Sequence, residues 1–189
     1  FSHRAATLIH SGTGLLDIEA GTTLDNTDGK LLSNGDGRLH TGDLHNQRGT
    51  IQTTGSAGLT LAASGTVDNS HDGLISATGP ASIDAARFDN TDGQLTASRN
   101  LQLRVTGTAD NTRGLLTAGQ ALRLDAGSLD NTNGLLRALS GPLELGIGGA
   151  LLNEQGQIGS GEALNARVGS LLNSGTLYAT GSLQIEAAG

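Results

Sequence analysis

One short phrase returns eight times along this chain of 189 residues, and its spacing restricts the possible folds more than any other feature. In its fullest form it reads Leu-Asp-Asn-Thr-Asp-Gly, as at residues 24–29, and the asparagines of consecutive copies lie 20 to 23 residues apart. Repeats of this length are typical of solenoids, in which each repeat packs only against its neighbours. The marker asparagines are Asn26, Asn46, Asn69, Asn90, Asn111, Asn131, Asn153 and Asn173.

Each repeat contains three short segments in which apolar and polar residues alternate, as in Leu101-Gln102-Leu103-Arg104-Val105. A period of two indicates strands, and no stretch shows the apolar spacing of an amphipathic helix. Three strands per repeat describe one coil of a parallel β-helix. We therefore predict an all-β, right-handed parallel β-helix, with three-strand coils of about 21 residues and eight to nine coils that form a rod about 40 Å long.

The marker asparagines are predicted to turn inward at a corner of each coil, where their amides can bond backbone groups and the asparagine of the next coil. A glycine follows each asparagine two to four residues later, and we expect it to permit the bend of the chain. Leu, Ile, Val and Ala would fill the narrow channel, since Phe1, Phe88 and Tyr178 are the only aromatic residues. These glycines are Gly29, Gly49, Gly73, Gly93, Gly114, Gly134, Gly156 and Gly175.

Composition narrows the function classes. We interpret residues 1–189 as a single solenoid domain. The absence of Met predicts that this segment is excised from a longer protein. A net charge of −7, with isolated arginines and almost no aromatics, disfavours nucleic acid as a partner. No apolar run reaches the roughly 20 residues that span a bilayer, so no membrane insertion is expected. There is no Cys, hence no disulfide.

An aspartate precedes the marker asparagine in five repeats, at Asp25, Asp68, Asp89, Asp110 and Asp130. Stacked carboxylates could bind Ca²⁺, or each could accept hydrogen bonds from local backbone amides. The glycine-rich pattern of calcium-binding β-helix repeats is absent, so we favour the second interpretation and predict no metal and no cofactor. The histidines fall in different turns without the spacing of metal ligands: His3, His10, His40, His45 and His71.

Four leucines occupy outward positions that are polar in most repeats: Leu115 and Leu135 after the repeat glycine, and Leu152 and Leu172 in place of the aspartate. They could form partner-contact patches or simply support the stacking of coils; we favour stacking. The same alignment places Arg104 beside Asp125 as an exposed ion pair. The first and last coils present open strand edges, which predict end-to-end self-association.

The recurrent Asn-x-x-Gly-x-Leu/Ile, followed by Leu-x-Leu, resembles the haemagglutinin repeats of filamentous haemagglutinin-like exoproteins. This group of large two-partner-secretion proteins includes adhesins and contact-dependent growth inhibition effectors. The resemblance runs from about Leu15 to the C-terminus. The sequence departs from this pattern in two ways. The glycine follows Asn69 by four residues and Asn173 by two, instead of three. The aspartate before the asparagine is replaced by His45, Leu152 or Leu172 in three repeats. Such changes indicate turns of different length within one fold.

The resemblance implies a secreted filament on the surface of a Gram-negative bacterium, exported through a partner outer-membrane transporter. In that family the shaft holds a distal element away from the cell, and some repeat regions bind a receptor or glycan on a host or target cell. We therefore expect a structural or adhesive shaft rather than an enzyme. The alternative is a carbohydrate-active β-helix enzyme, which would need two suitably placed carboxylates and usually aromatic platforms for the sugar.

Overall fold

The computed structural model describes residues 1–188 and is built from strands, with no helix in that range. Every pair of neighbouring strands that it contains is parallel. The twenty strands are β1 (Thr7–His10), β2 (Leu16–Asp25), β3 (Lys30–Ser33), β4 (Gly37–His45), β5 (Thr50–Thr53), β6 (Leu59–Ala63), β7 (Thr66–Asp68), β8 (Leu74–Ala77), β9 (Ala81–Ala85), β10 (Arg87–Asp89), β11 (Gln94–Ala97), β12 (Leu101–Asp110), β13 (Leu115–Ala118), β14 (Leu122–Asp130), β15 (Leu135–Ala138), β16 (Leu143–Asn153), β17 (Gln157–Ser160), β18 (Leu164–Asn173), β19 (Thr176–Ala179) and β20 (Leu183–Ala187).

The strands form two walls that wind around one core. One wall is a nine-stranded sheet in the order β1-β3-β5-β8-β11-β13-β15-β17-β19, so successive coils each add one strand to it. The remaining eleven strands form the second sheet, which pairs in the same coil-to-coil sequence. The prediction of a parallel β-helix with coils of about 21 residues is therefore confirmed, and the nine-stranded sheet defines nine coils.

The three predicted segments of a coil are not always three strands. In six coils the first two segments join into one long strand, as in β12, and a register shift between Val105 and Thr108 marks the corner. Two coils keep the segments apart, as β6 and β7 and as β9 and β10. The eleven-stranded sheet is thus a single bent sheet, because a β-bulge turns the chain without ending its pairing.

The core is a continuous aliphatic column, as the alternation predicts. Leu101 and Leu103 of β12 are buried while Gln102 between them is partly exposed. The largest fully buried side chain is the ring of Phe88, which was not expected in so narrow a channel. It fits because Val67 and Ala109, its partners in the coils before and after, are small. No helix long and apolar enough to cross a membrane occurs in residues 1–188.

Candidate functional site

The eight marker asparagines lie directly above one another and form a hydrogen-bonded column, here called the asparagine ladder. In each step the Nδ2 of one asparagine donates to the Oδ1 of the asparagine in the next coil, at 2.7–2.8 Å. Seven members are fully buried, and the last, Asn173, is exposed. Since solvent and ligands cannot reach the buried amides, the ladder holds coils together rather than binding a partner.

Six of the eight ladder amides also donate to backbone carbonyls on both sides of the corner, and that of Asn153 donates to one carbonyl in the next coil. The Nδ2 of Asn111 lies 3.3 Å from the carbonyl oxygen of Gly114 in its own turn and 3.3 Å from that of Leu135 in the next coil. One side chain therefore closes its own turn and ties it to the next coil. The Gly114 carbonyl oxygen also accepts from the backbone N–H of Leu135 at 2.9 Å, so the amide reinforces a corner that backbone bonds already join.

The ladder has a direction and an incomplete first step. Because every donor points toward the C-terminal coil, the Oδ1 of Asn26 is left buried without a hydrogen-bond partner. Pairing of Ser2 with Asp25 places His3 in the position that a ninth asparagine would occupy. The Nε2 of His3 lies 3.2 Å from the Lys30 carbonyl oxygen, which corresponds to the bond from a ladder amide to a carbonyl of the next coil. The bond to the side chain of the next ladder residue, Asn26, is not formed.

The repeat glycines serve a different purpose from the one expected. Positive φ falls on the residue before the glycine, for example Arg48 at 54° and Arg113 at 55°. At Gly49 a Cβ atom would collide with the carbonyl oxygen of Asn26 in the preceding coil. The prediction that these glycines permit the bend is therefore wrong: they are needed because the ladder brings backbone of two coils too close for any side chain.

The five aspartates cap the turns, as the favoured interpretation predicted. In each, Oδ1 accepts a hydrogen bond from the backbone N–H two residues later, at 2.9–3.1 Å. For Asp25, partial burial raises the pKa, but the hydrogen bonds from Thr27 and the positive charges of Arg4 and His45 together hold the pKa below its ordinary value. Among residues 1–188, no three His, Cys, Asp or Glu side chains come together as a metal site.

The histidines contact polar groups of their own or an adjacent coil, and two of them, His45 and His71, line one surface cavity. His10 Nδ1 lies 3.0 Å from the Ser33 hydroxyl, and His71 Nδ1 lies 2.7 Å from the hydroxyl of Ser70. Ser70 is buried and also donates to Asp68. Although serine, histidine and aspartate meet here, the carboxylate binds the serine rather than the histidine. This order is not that of a nucleophilic triad.

The two walls of the rod present opposite surfaces. We call the outward side of the nine-stranded sheet the neutral face: among its eighteen outward positions there is no carboxylate, and only Lys30 and Arg137 are charged. We call the outward side of the first half of the other sheet the charged face: its eighteen positions hold six carboxylates and four arginines. Of the 18 carboxylates in the chain, none lies on the neutral face, six lie on the charged face, and the other twelve lie in turns and in the second half of the eleven-stranded sheet.

Four coils of the charged face contribute to a cluster that sequence reasoning missed. Arg123 donates to Asp125 at 2.7 and 3.0 Å and to Glu144 at 2.9 Å, while Arg167 donates to Glu186 at 3.0 Å. The hydrogen bonds that Arg123 donates to Asp125 raise the pKa of Arg123. These groups line a trough of about 530 Å³. Each of the three carboxylates is bound to one of the two guanidinium groups, so the cluster is an ion-pair network with one excess negative charge.

The predicted pair of Arg104 and Asp125 is only partly right. The two residues are neighbours in register, as the alignment indicated. Arg104 nevertheless contacts Asp84 in the preceding coil, at 3.6 Å, because Asp125 is already occupied by Arg123. A cationic side chain in a solenoid lies between residues of the preceding and the following coil, and the alignment of repeats does not show which of the two it contacts.

The four leucines form two separate pairs on different walls. Leu115 and Leu135 are adjacent on the neutral face, and both are half-buried. Leu152 follows Asp130 in the turn-capping column and is half-buried, whereas its neighbour Leu172 is 52 % exposed. The pairs are therefore independent surfaces.

Together, the uninterrupted ladder and the aliphatic core define a parallel β-helix rod of repeat type. The chain belongs to the haemagglutinin-repeat family, which matches it over residues 11–71, 56–112, 76–141 and 138–189. This confirms the resemblance that the motif indicated.

One relative is similar over a large part of the chain. It is the "Deoxyribonuclease CdiA" of Dickeya dadantii (strain 3937), 34 % identical over an alignment of 134 residues that covers 61 % of this chain. The alignment covers only 4 % of that relative's length, so the chain corresponds to a small part of it. No solved structure matches the chain.

Proposed function

We propose that this chain is a shaft segment of a secreted cell-surface filament, which holds a distal domain away from the bacterium and toward a target cell. The observation that carries the proposal is the continuity of the asparagine ladder through eight consecutive coils. Because the same bonds repeat at every step, a longer chain of such coils extends the rod without changing it. Membership of the haemagglutinin-repeat family supports export through a two-partner-secretion transporter.

Deletion of one whole repeat, compared with deletion of half a repeat, tests whether the chain acts as an ordered shaft. Removing residues 91–111 from the parent protein joins Asn90 to Thr112 and takes out one whole coil. Removing 91–101 alone takes out about half a coil and shifts inward residues to the outside. The readout is the protease accessibility of an epitope placed beyond the segment on intact cells.

We expect the whole-coil deletion to deliver the distal epitope as the unmodified protein does, and the half-coil deletion to lose it. Equal delivery by both variants would refute the shaft, because a spacer without ordered coils would then suffice.

We further propose that a receptor or glycan on the target cell contacts the Leu152–Leu172 pair. The observation that favours this pair is that it ends the polar turn-capping column with two adjacent aliphatic side chains, of which Leu172 is exposed. Replacing both leucines with Asp restores the residue found at Asp130, so the fold should tolerate the change. Leu139→Asp, at an exposed leucine elsewhere, is the control.

A cell-surface and glycan binding screen with the purified rod supplies the measurement, beside a reducing-sugar release assay on the same glycans. Saturable binding that is lost in the double variant and kept in the control is expected. Binding that survives in both would remove these leucines from the contact. Release of sugar would instead support the carbohydrate-active enzyme.

A further inference from the structure

The neutral face is unusual for a chain with 18 acidic residues, because none of them lies on it. In place of charges it carries Thr, Gln and Ser side chains and six apolar ones: Ile9, Leu32, Leu74, Leu115, Leu135 and Tyr178. The lack of carboxylates and the exposed tyrosine and arginine are features that this face shares with the core of protein interfaces, whereas Lys30 and Ser76 are not. The charged face, built from as many positions, has the opposite composition.

We propose that the neutral face is a lateral docking surface for a second copy of this chain, so that two rods pair face to face along their length. The nine strands are paired in parallel without a register break along this wall, and the face is therefore a regular ridged surface. Its side chains repeat with the spacing of adjacent strands, about 4.8 Å. A second rod has the same repeat and can match it over the whole length, as stacked sheets do.

The size of the face sets the strength of the contact. Nine strands of four residues cover about 38 Å by about 13 Å, or roughly 500 Å² of flat area. Stable interfaces bury about 800 Å² of accessible surface on each partner. We therefore expect two of these segments to bind each other weakly. Every additional coil adds an equal strip of contact area, so the free energy of association becomes more favourable in proportion to the number of coils.

Electrostatics gives the pairing a distinctive salt dependence. Face-to-face contact desolvates no carboxylate and two cations on each copy, Lys30 and Arg137, whereas contact through the charged face would desolvate six carboxylates and four arginines. Two rods of net charge −7 still repel through their other surfaces. Salt screens such repulsion over a Debye length of about 8 Å at physiological ionic strength. Association should consequently tighten as salt is added, opposite to the behaviour of a complex held by ion pairs.

Matched glutamine-to-glutamate variants test the face without changing shape. Gln52→Glu with Gln94→Glu places two carboxylates on the neutral face, where both glutamines are exposed. Gln102→Glu with Gln120→Glu adds the same charge on the charged face and in a turn. Sedimentation velocity and small-angle scattering across a range of concentration and salt measure association, with circular dichroism to verify folding. Tyr178, the only tyrosine in a chain without tryptophan, reports on the face by its fluorescence and its quenching by acrylamide.

We expect the unmodified rod to pair at high concentration, with a doubled cross-section, an unchanged length and reduced quenching of Tyr178. The neutral-face variant should weaken the pairing about tenfold or more, and the control by less than about twofold, because like charges in an interface cost several kcal/mol. A rod that stays monomeric at every concentration would overturn the proposal. Pairing that doubles the length would also overturn it, because that is the end-to-end association predicted from the strand edges. Pairing that both variants weaken equally would overturn it as well, because the contact would then not depend on the neutral face. Binding of a neutral oligosaccharide to a monomeric rod, lost only in the neutral-face variant, would assign the face to a saccharide instead.

Discussion

Removal of one central amide from the asparagine ladder is the most direct perturbation of this fold. Asn111 accepts from Asn90 at 2.8 Å and donates to Asn131 at 2.7 Å, with further contacts to two backbone carbonyls. In Asn111→Ala, the buried Oδ1 of Asn131 loses its donor, while the Nδ2 of Asn90 keeps two carbonyl contacts at 3.2 Å. A buried group left without a partner costs about 1–3 kcal/mol, and a small cavity adds to this. We expect a loss of about 2–4 kcal/mol in the free energy of unfolding.

Urea denaturation followed by circular dichroism measures this loss, and hydrogen exchange of backbone amides reports whether it is confined to the coils around residue 111. Solenoid coils can open locally, so the exchange data distinguish a local loss from a global one. The control is Asn165→Ala on the charged face, where the Asn165 side chain is half-exposed. If both variants lose the same small free energy, the ladder contributes nothing and the reasoning is refuted.

Asn111→Asp adds a pH signature to the same position. The aspartate can still accept from Asn90, but when ionised it faces the Oδ1 of Asn131 and backbone carbonyls with no proton to donate. Its native pKa must therefore rise above the unfolded value of about 3.9. The penalty is absent below that unfolded pKa, where the carboxyl can donate to Asn131, and it grows as pH rises toward the native pKa. A stability difference from Asn111→Ala that is independent of pH would contradict this.

Three further substitutions test other parts of the structure. Thr53→Val replaces a buried hydroxyl that has no hydrogen-bond partner, and should raise the free energy of unfolding by about 1 kcal/mol in urea titrations; a loss would show that the hydroxyl is satisfied. His3→Asn supplies a donor for the unpartnered Oδ1 of Asn26, and should slow hydrogen exchange in the first turn; unchanged exchange would mean that the ladder cannot be extended there. Leu103→Asp buries an unpaired charge and should cost about 4 kcal/mol or more, whereas Gln102→Asp should stay within about 0.5 kcal/mol; equal losses would reverse the assignment of inward and outward positions.

Much of this architecture could be predicted from the amino-acid sequence, because a solenoid converts sequence period into spatial contact. Residues one repeat apart become neighbours, so the spacing of the asparagines already predicts that Asn90 meets Asn111 and Asn131 meets Asn153. Alternation likewise separates Leu103 from Gln102. Both inferences need only the period of the strand and the length of the coil.

Other features depend on distances that repeat alignment does not contain. The glycine at position 49 was expected to permit a bend, but the bend lies on Arg48, and only the approach of the preceding coil excludes a side chain. The merging of two segments into β12 depends on a bulge that keeps its pairing. Both are consequences of how backbone of successive coils packs at a corner.

The sequence by itself determined the period, the strands, the inward residues and the ladder, since each follows from which residues recur one coil apart. Only the tertiary structure determines which charged side chains form ion pairs with one another. Arg104 turns to Asp84 because Arg123 already holds Asp125, and the trough forms from residues of four coils. The absence of carboxylates from the neutral face is likewise visible only once the strands are assigned to sheets. A long side chain on a solenoid has neighbours in two directions, and packing selects between them.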